Sequence, residues 1–107
     1  MEVTFLYFED CPSHEEALTR LRRVMQEEAV ETEIEIVKVK TEEQAQKFQF
    51  TGSPTIRING EDIVAPPAET RYGLACRAYR LEDGRISPLP SLEMIRNAIT
   101  AAKREAF

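Results

Sequence analysis

Long apolar runs, blocks of positive charge and histidine are what this 107-residue chain has least of. Its most apolar stretch, Val3-Thr4-Phe5-Leu6-Tyr7-Phe8, is far short of the roughly 20 residues that a membrane-spanning helix needs. No basic segment precedes it, as one would in a secretory signal. No membrane partner is therefore expected, and a cytoplasmic location is. Fourteen Lys and Arg stand against nineteen Asp and Glu, for a net charge of -5. The two signs are interspersed, so no basic stripe exists to track phosphates, which argues against nucleic acid as a ligand. Only two cysteines and one histidine are present. Two cysteines in a cytosolic chain point to reduced, catalytic or metal-binding sulfur rather than a structural staple. Repeats, linkers and low-complexity segments are lacking too. The apolar content suffices for one core, so residues 1–107 are expected to form one domain.

What is present reads as alternating strands and helices. Val3 to Phe8, β-branched, aromatic and almost continuously apolar, predicts a central strand buried on both faces. A helix is expected from Pro12, whose fixed φ and missing N–H suit the first helical position, with Ala17, Leu18, Leu21, Val24, Met25 and Ala29 as its apolar stripe. Ile34, Ile36, Val37 and Val39 predict a second strand, parallel to the first because a helical crossover joins them. Thr41 with Gln44 looks like a capping box for a short helix ending before Gly52, with Ala45 and Phe48 inward. Thr55 to Asn59 predicts a third strand closed by Asn59-Gly60. Glu61 to Gly73, with Pro66-Pro67, reads as a long irregular loop of the kind that is functional or poorly ordered. Cys76 to Leu81 alternates as a fourth strand before a tight turn at Asp83-Gly84. Ser91 caps a last helix striped by Leu92, Ile95, Ile99 and Ala102. The expectation is an α/β fold, βαβα then ββα, with a mixed four-stranded sheet flanked by helices.

Two short motifs carry the chemistry. Cys11-Pro12-Ser13-His14 places a thiol at a helix N-terminus, where unpaired N–H groups and the helix dipole favour thiolate. Glu9, Asp10, Glu15 and Glu16 oppose that effect. His14 could hydrogen-bond the sulfur, stabilise a thiolate when protonated, ligate a soft metal beside Cys11, or simply sit exposed in a first helical turn. The second motif, Gly52-Ser53-Pro54-Thr55, puts a proline where a strand should begin. A helix-terminal thiol is expected to be more exposed and more ionised than one on a strand, so Cys11 should alkylate faster than Cys76. Cys76 could resolve a mixed disulfide at Cys11, complete a two-thiolate metal site, or be a buried small hydrophobe. An antiparallel fourth strand would start far from Cys11 unless the long loop folds back. Tyr72 and Tyr79 read as groove or core residues. Arg71, Arg77 and Arg80 read first as a solvated face, second as a lure for an acidic thiol.

The element order, with Cys-Pro after the first strand and Ser-Pro-Thr before the third, resembles the thioredoxin fold in its small, glutaredoxin-like form over nearly the whole chain. The resemblance implies Cys11 as nucleophile, Pro54 as a cis proline beside it, and Ser53 and Thr55, with Pro12, lining the groove for an extended substrate. It implies no cofactor. Thioredoxins use Cys-x-x-Cys; here His14 stands at the second cysteine, so the protein is either a monothiol or is resolved by Cys76. More narrowly, Gly52-Ser53-Pro54-Thr55-Ile56 with Asn59-Gly60 and Gly73-Leu74-Ala75-Cys76-Arg77-Ala78-Tyr79-Arg80 is similar to small bacterial thioredoxin-like proteins, some labelled after alkylmercury lyases. That similarity raises mercury or another soft metal as a ligand. The leading expectation is a thiol-disulfide oxidoreductase-like protein acting on a protein or small-molecule thiol or disulfide, with Cys11, His14 and Cys76 as its reactive group. The rivals are a soft-metal or organomercurial-processing protein using Cys11 and Cys76, and an inactive module that binds an extended peptide by backbone pairing.

Overall fold

The structure is a computed structural model and describes residues 1–105. β1 (Val3–Tyr7) leads into α1 (His14–Glu27), then β2 (Ile34–Lys38), α2 (Glu42–Phe48), β3 (Thr55–Ile58), β4 (Glu61–Asp62), β5 (Tyr79–Arg80), β6 (Ile86–Ser87) and α3 (Leu92–Glu105). A mixed four-stranded sheet has the order β2-β1-β3-β4. β1 runs parallel to β2 and antiparallel to β3. Among the described residues no helix is long and apolar enough to cross a membrane.

The inner position of β1 follows from its side chains. Val3 and Phe5 point into a cluster with Leu21, Val24 and Met25 of α1, Ile56 and Ile58 of β3, and Ile95 and Ile99 of α3. Leu6 points the other way, into a smaller cluster with Val39, Ala45 and Phe50, against which Leu74 packs. A strand buried on both faces needs apolar residues at consecutive positions, which is what Phe5-Leu6 supplies. Leu21 and Val24 are fully buried; each such side chain contributes roughly 1.5–3 kcal/mol.

Three expectations about elements are corrected. The fourth strand of the sheet is Glu61–Asp62, not Cys76 to Leu81. Asn59 and Gly60, both at positive φ, form a two-residue hairpin that returns the chain at once beside β3; such Asn-Gly turns suit the right-handed twist of paired strands. Of the anticipated strand only Tyr79 and Arg80 form a strand, and they pair with Ile86 and Ser87 in a separate two-stranded ribbon. The second correction concerns α1, which begins at His14 with Ser13 as its N-cap, so Pro12 lies outside it. The third concerns Ala29, which does not extend the apolar stripe. It adopts φ 56°, and its N–H and that of Val30 bond back to Gln26 O and Met25 O, a helix-ending pattern that usually carries glycine.

The caps of the other helices follow the residue types. Thr41 Oγ1 accepts from Gln44 N at 3.1 Å, while the Gln44 side chain reaches back to Lys40 N at 2.7 Å. Ser91 Oγ accepts from Met94 N at 3.1 Å at the start of α3. Arg57 on β3 pairs with Asp62 at 3.1 Å and donates to Phe48 O and Gln49 O at 2.8 and 2.9 Å. It therefore holds the carbonyl end of α2 against the sheet and sets where the next segment, Phe50 to Pro54, leaves the helix.

Candidate functional site

The register of β1 and β3 brings the two motifs together. Because Leu6 faces Thr55 across an antiparallel ladder, the residues that follow β1 and those that precede β3 share one end of the sheet. A turn closed by Cys11 N donating to Phe8 O at 3.0 Å folds Cys11 back over that end. From the other side come Gly52, Ser53 and Pro54, with Ser53-Pro54 cis. The Cys11 thiol donates to Ser53 O at 3.4 Å and is 1% exposed.

A third segment completes the site. Gly73 N donates to Phe50 O at 2.9 Å, Ser53 N to Ala75 O at 2.7 Å and Arg77 N to Ser53 O at 2.9 Å. Ser53 and Cys76 thus form an isolated parallel bridge. The long loop folds back, and Cys76 Sγ arrives 3.3 Å from Cys11 Sγ. Both cysteines are free thiols. The expectation that the segment after the loop begins far from Cys11 fails because that segment runs parallel beside Ser53 rather than joining the sheet as an antiparallel strand.

Exposure of the two sulfurs is the reverse of the sequence expectation. Cys11 is buried and Cys76 exposed, because the Gly73–Arg77 stretch lies on top of the Cys11 turn. Cys76 is accordingly neither a buried hydrophobe nor the protected partner. Its thiol donates to Cys11 Sγ, and that hydrogen bond, then burial, then charge on Cys11 push its pKa up. A raised thiol pKa means less thiolate at a given pH. In Cys11→Ala the pH midpoint of Cys76 alkylation should therefore move down, with faster labelling at neutral pH. An unchanged midpoint would remove Cys11 as the acceptor of that proton.

Gly52 makes the close approach possible. At φ +144° it occupies backbone space that L side chains rarely adopt, and a Cβ there would lie 3.0 Å from Arg77 N and 3.1 Å from the Cys76 carbonyl carbon. Thr55 Oγ1 donates to Gly52 O at 2.5 Å, and Tyr79 Oη donates to Pro54 O at 2.5 Å. Two carbonyls of the loop beneath the sulfur pair, those of Gly52 and Pro54, are thus braced by side chains. Arg77 is not on a solvated face: it is 7% exposed, stacks on the Tyr79 ring and donates to Val64 O at 2.9 Å. Arg71 and Arg80 are exposed. Ser53 Oγ and Thr51 Oγ1 are buried with no hydrogen-bond partner.

Of the anticipated site residues, Cys11, Cys76, Ser53, Pro54 and Thr55 come together. His14 does not join them by a hydrogen bond; its ring stacks on Tyr7 at 4.5 Å between centroids. Pro12 is exposed beside Cys11 in the chain. Arg77 and Tyr79 belong to the site as braces, a role that their positions one and three residues after Cys76 do not by themselves disclose. Glu9 is tied to Lys38 at 2.7 Å, which holds its carboxyl below the usual range and takes part of the acidic charge away from the sulfurs. Among the described residues no group of three His, Cys, Asp or Glu is placed to hold a metal ion. Comparison with protein-family models, curated proteins and solved structures yields no match to this chain.

Proposed function

We propose that this chain is a thiol-disulfide exchange protein of thioredoxin-like arrangement, whose redox pair is Cys11 with Cys76. The observation that carries the reading is the 3.3 Å separation of two free sulfurs 65 residues apart in the chain. Bonding length is about 2.05 Å, so roughly 1.2 Å of approach, within reach of an exposed segment, closes the bond. The arrangement is supported by an inner strand flanked by one parallel and one antiparallel neighbour. It is further supported by the segment before β3, where Ser53 O receives the Cys11 thiol.

The exposed sulfur reacts first. Cys76, as thiolate, attacks one sulfur of a disulfide R–S–S–R′, the S–S bond breaks, and R′–S⁻ leaves and takes up a proton. Cys11 then attacks Cys76 Sγ in the mixed disulfide and expels R–S⁻, which is also protonated. The products are the Cys11–Cys76 disulfide and two thiols, so two electrons pass from the pair to the substrate. Exchange of this kind proceeds through the mixed disulfide whichever direction is run.

Incubation with a small disulfide such as cystamine should consume both thiols within a monomer, and Cys11→Ser should accumulate the mixed disulfide at Cys76. Oxidation that yields only intermolecular dimers would overturn the paired-sulfur reading. The soft-metal rival rests on the same two sulfurs and offers a two-coordinate site. Stoichiometric mercury that blocks both thiols at once, in a chain that small disulfides leave reduced, would favour it instead.

A further inference from the structure

We infer that Gly73–Arg77 is a strap that opens independently of the rest of the fold and governs access to Cys11, and that the Cys11–Cys76 bond is its fastening. The strap reading concerns regulation of the redox pair just described and, in its fastening step, rests on that assignment.

The strap is one layer thick. Ala75 and Cys76 are exposed, whereas Cys11 and Ser53 directly beneath are 1% and 0% exposed. Backbone attachment consists of the bonds at Phe50 and Ser53. Outside it, Leu74 N donates to Glu42 Oε1 at 3.4 Å and Gln46 reaches Tyr72 O at 3.3 Å, both long and exposed. The strap follows the irregular run containing Pro66-Pro67 and joins no sheet beyond the single bridge at Ser53. Its one apolar anchor in the swinging portion is Leu74, partly buried against the Leu6, Val39, Ala45 and Phe50 cluster; segments held by few hydrogen bonds and little buried apolar surface open well below the cost of global unfolding.

What lies below favours opening further. Ser53 Oγ and Thr51 Oγ1, in the stretch against which the strap rests, are buried without partners; an unsatisfied buried hydroxyl carries its full desolvation cost, which water relieves once the cover lifts. At the far end the strap is anchored more firmly, by buried Arg77 on Tyr79 and Val64 and by Tyr79 on Pro54. Arg77 therefore acts as the hinge, and the Gly73–Cys76 portion swings. With the sulfurs reduced, the swing exposes Cys11 and frees the N–H of Ser53 and the C=O of Phe50. With them bonded, the strap is tied across the opening by its own tip.

The test uses Cys76→Ser, in which no intramolecular disulfide can form, and follows alkylation of Cys11 by iodoacetamide across urea concentrations below the unfolding transition. Labelling should be nearly independent of urea and at least tenfold faster than global unfolding permits. Gly52→Ala added to this background should speed it a further tenfold or more, since the new Cβ collides with the strap backbone. Should Gly52→Ala not fold, Arg77→Ala, which loosens the hinge, should raise the rate in the same direction. Labelling that tracks the full urea dependence of global unfolding would overturn the strap. Because this chain carries no second thiol, the outcome is independent of whether the wild type forms its disulfide. In the wild type, amide exchange at Ser53 and Gly73 should be fast relative to β1 when reduced and slow to the level of β1 when oxidised; equal relative rates in the two states would overturn the fastening step alone.

Discussion

Oxidised to the Cys11–Cys76 disulfide, the protein should melt more than about 10 °C above its reduced form. The bond joins residues 65 apart, and the chain-entropy account of such a cross-link gives roughly 4 kcal/mol by restricting the unfolded chain. For a domain of about 100 residues each kcal/mol moves the melting temperature by roughly 4–8 °C. The opposing cost is the approach of the strap from 3.3 Å to bonding distance, borne by an exposed segment free to move rather than by the packed core. The entropic gain therefore wins. Calorimetry of the oxidised and reduced protein checks this, with Cys76→Ser as the chain in which oxidant should leave the transition unmoved. A melting temperature that stays put while both thiols are consumed in the monomer would mean that bonding strains the strap as much as it restricts the unfolded chain.

Much of this architecture was legible because the signals were local and strong. Phe5-Leu6 inside a β-branched run announced a strand buried on both faces, and it is. Thr41 with Gln44 and Ser91 announced caps, and both cap. Asn59-Gly60 does more than close β3: a turn that tight demands a partner strand at once, so Glu61–Asp62 takes the sheet edge. Once that edge is occupied, the alternating Cys76 to Leu81 run has no place in the sheet and pairs with Ile86–Ser87 instead. Alternation in sequence records two faces and not which partner covers them. The site followed the same division. Cys11 and Pro54 were placed by the elements that carry them, whereas the position of Cys76 depends on how a long loop with no periodicity returns, which bonds to Phe50 and Ser53 decide. Exposure of the sulfurs inverted for the same reason, since a helix-terminal thiol is open only when nothing is laid across it. Arg77 reads as a surface charge from its type alone; stacking on Tyr79 and the hydrogen bond to Val64 O make its burial tolerable.

Tyr79→Phe should lower stability at neutral pH by about 1–3 kcal/mol and abolish a loss of stability that the wild type undergoes above pH 10. The neutral-pH cost comes from the buried O–H that donates to Pro54 O, because deleting the donor leaves a buried carbonyl unsatisfied. The alkaline effect comes from ionisation. Burial pushes the Tyr79 hydroxyl up from 10.0 to about 12, with Arg77 opposing and Asp62 adding. Below pH 10 both folded and unfolded chains keep the phenolic proton, and the hydrogen bond contributes in full. Between 10 and 12 the unfolded chain releases that proton while the folded chain retains it, so unfolding is favoured by about 1.4 kcal/mol per pH unit, up to roughly 2.7 kcal/mol. Phenylalanine has no proton to lose. Denaturation curves of wild type and variant should therefore be well separated at pH 8 and converge as pH approaches 12, with the raised Cys76 thiol adding an alkaline loss common to both. Since Tyr79 holds the carbonyl of the residue that abuts Ser53, the variant should also label faster at Cys11. Curves that run parallel from pH 8 to 12 would show that the Tyr79 hydroxyl ionises in the folded protein as it does in water, and that it does not brace Pro54.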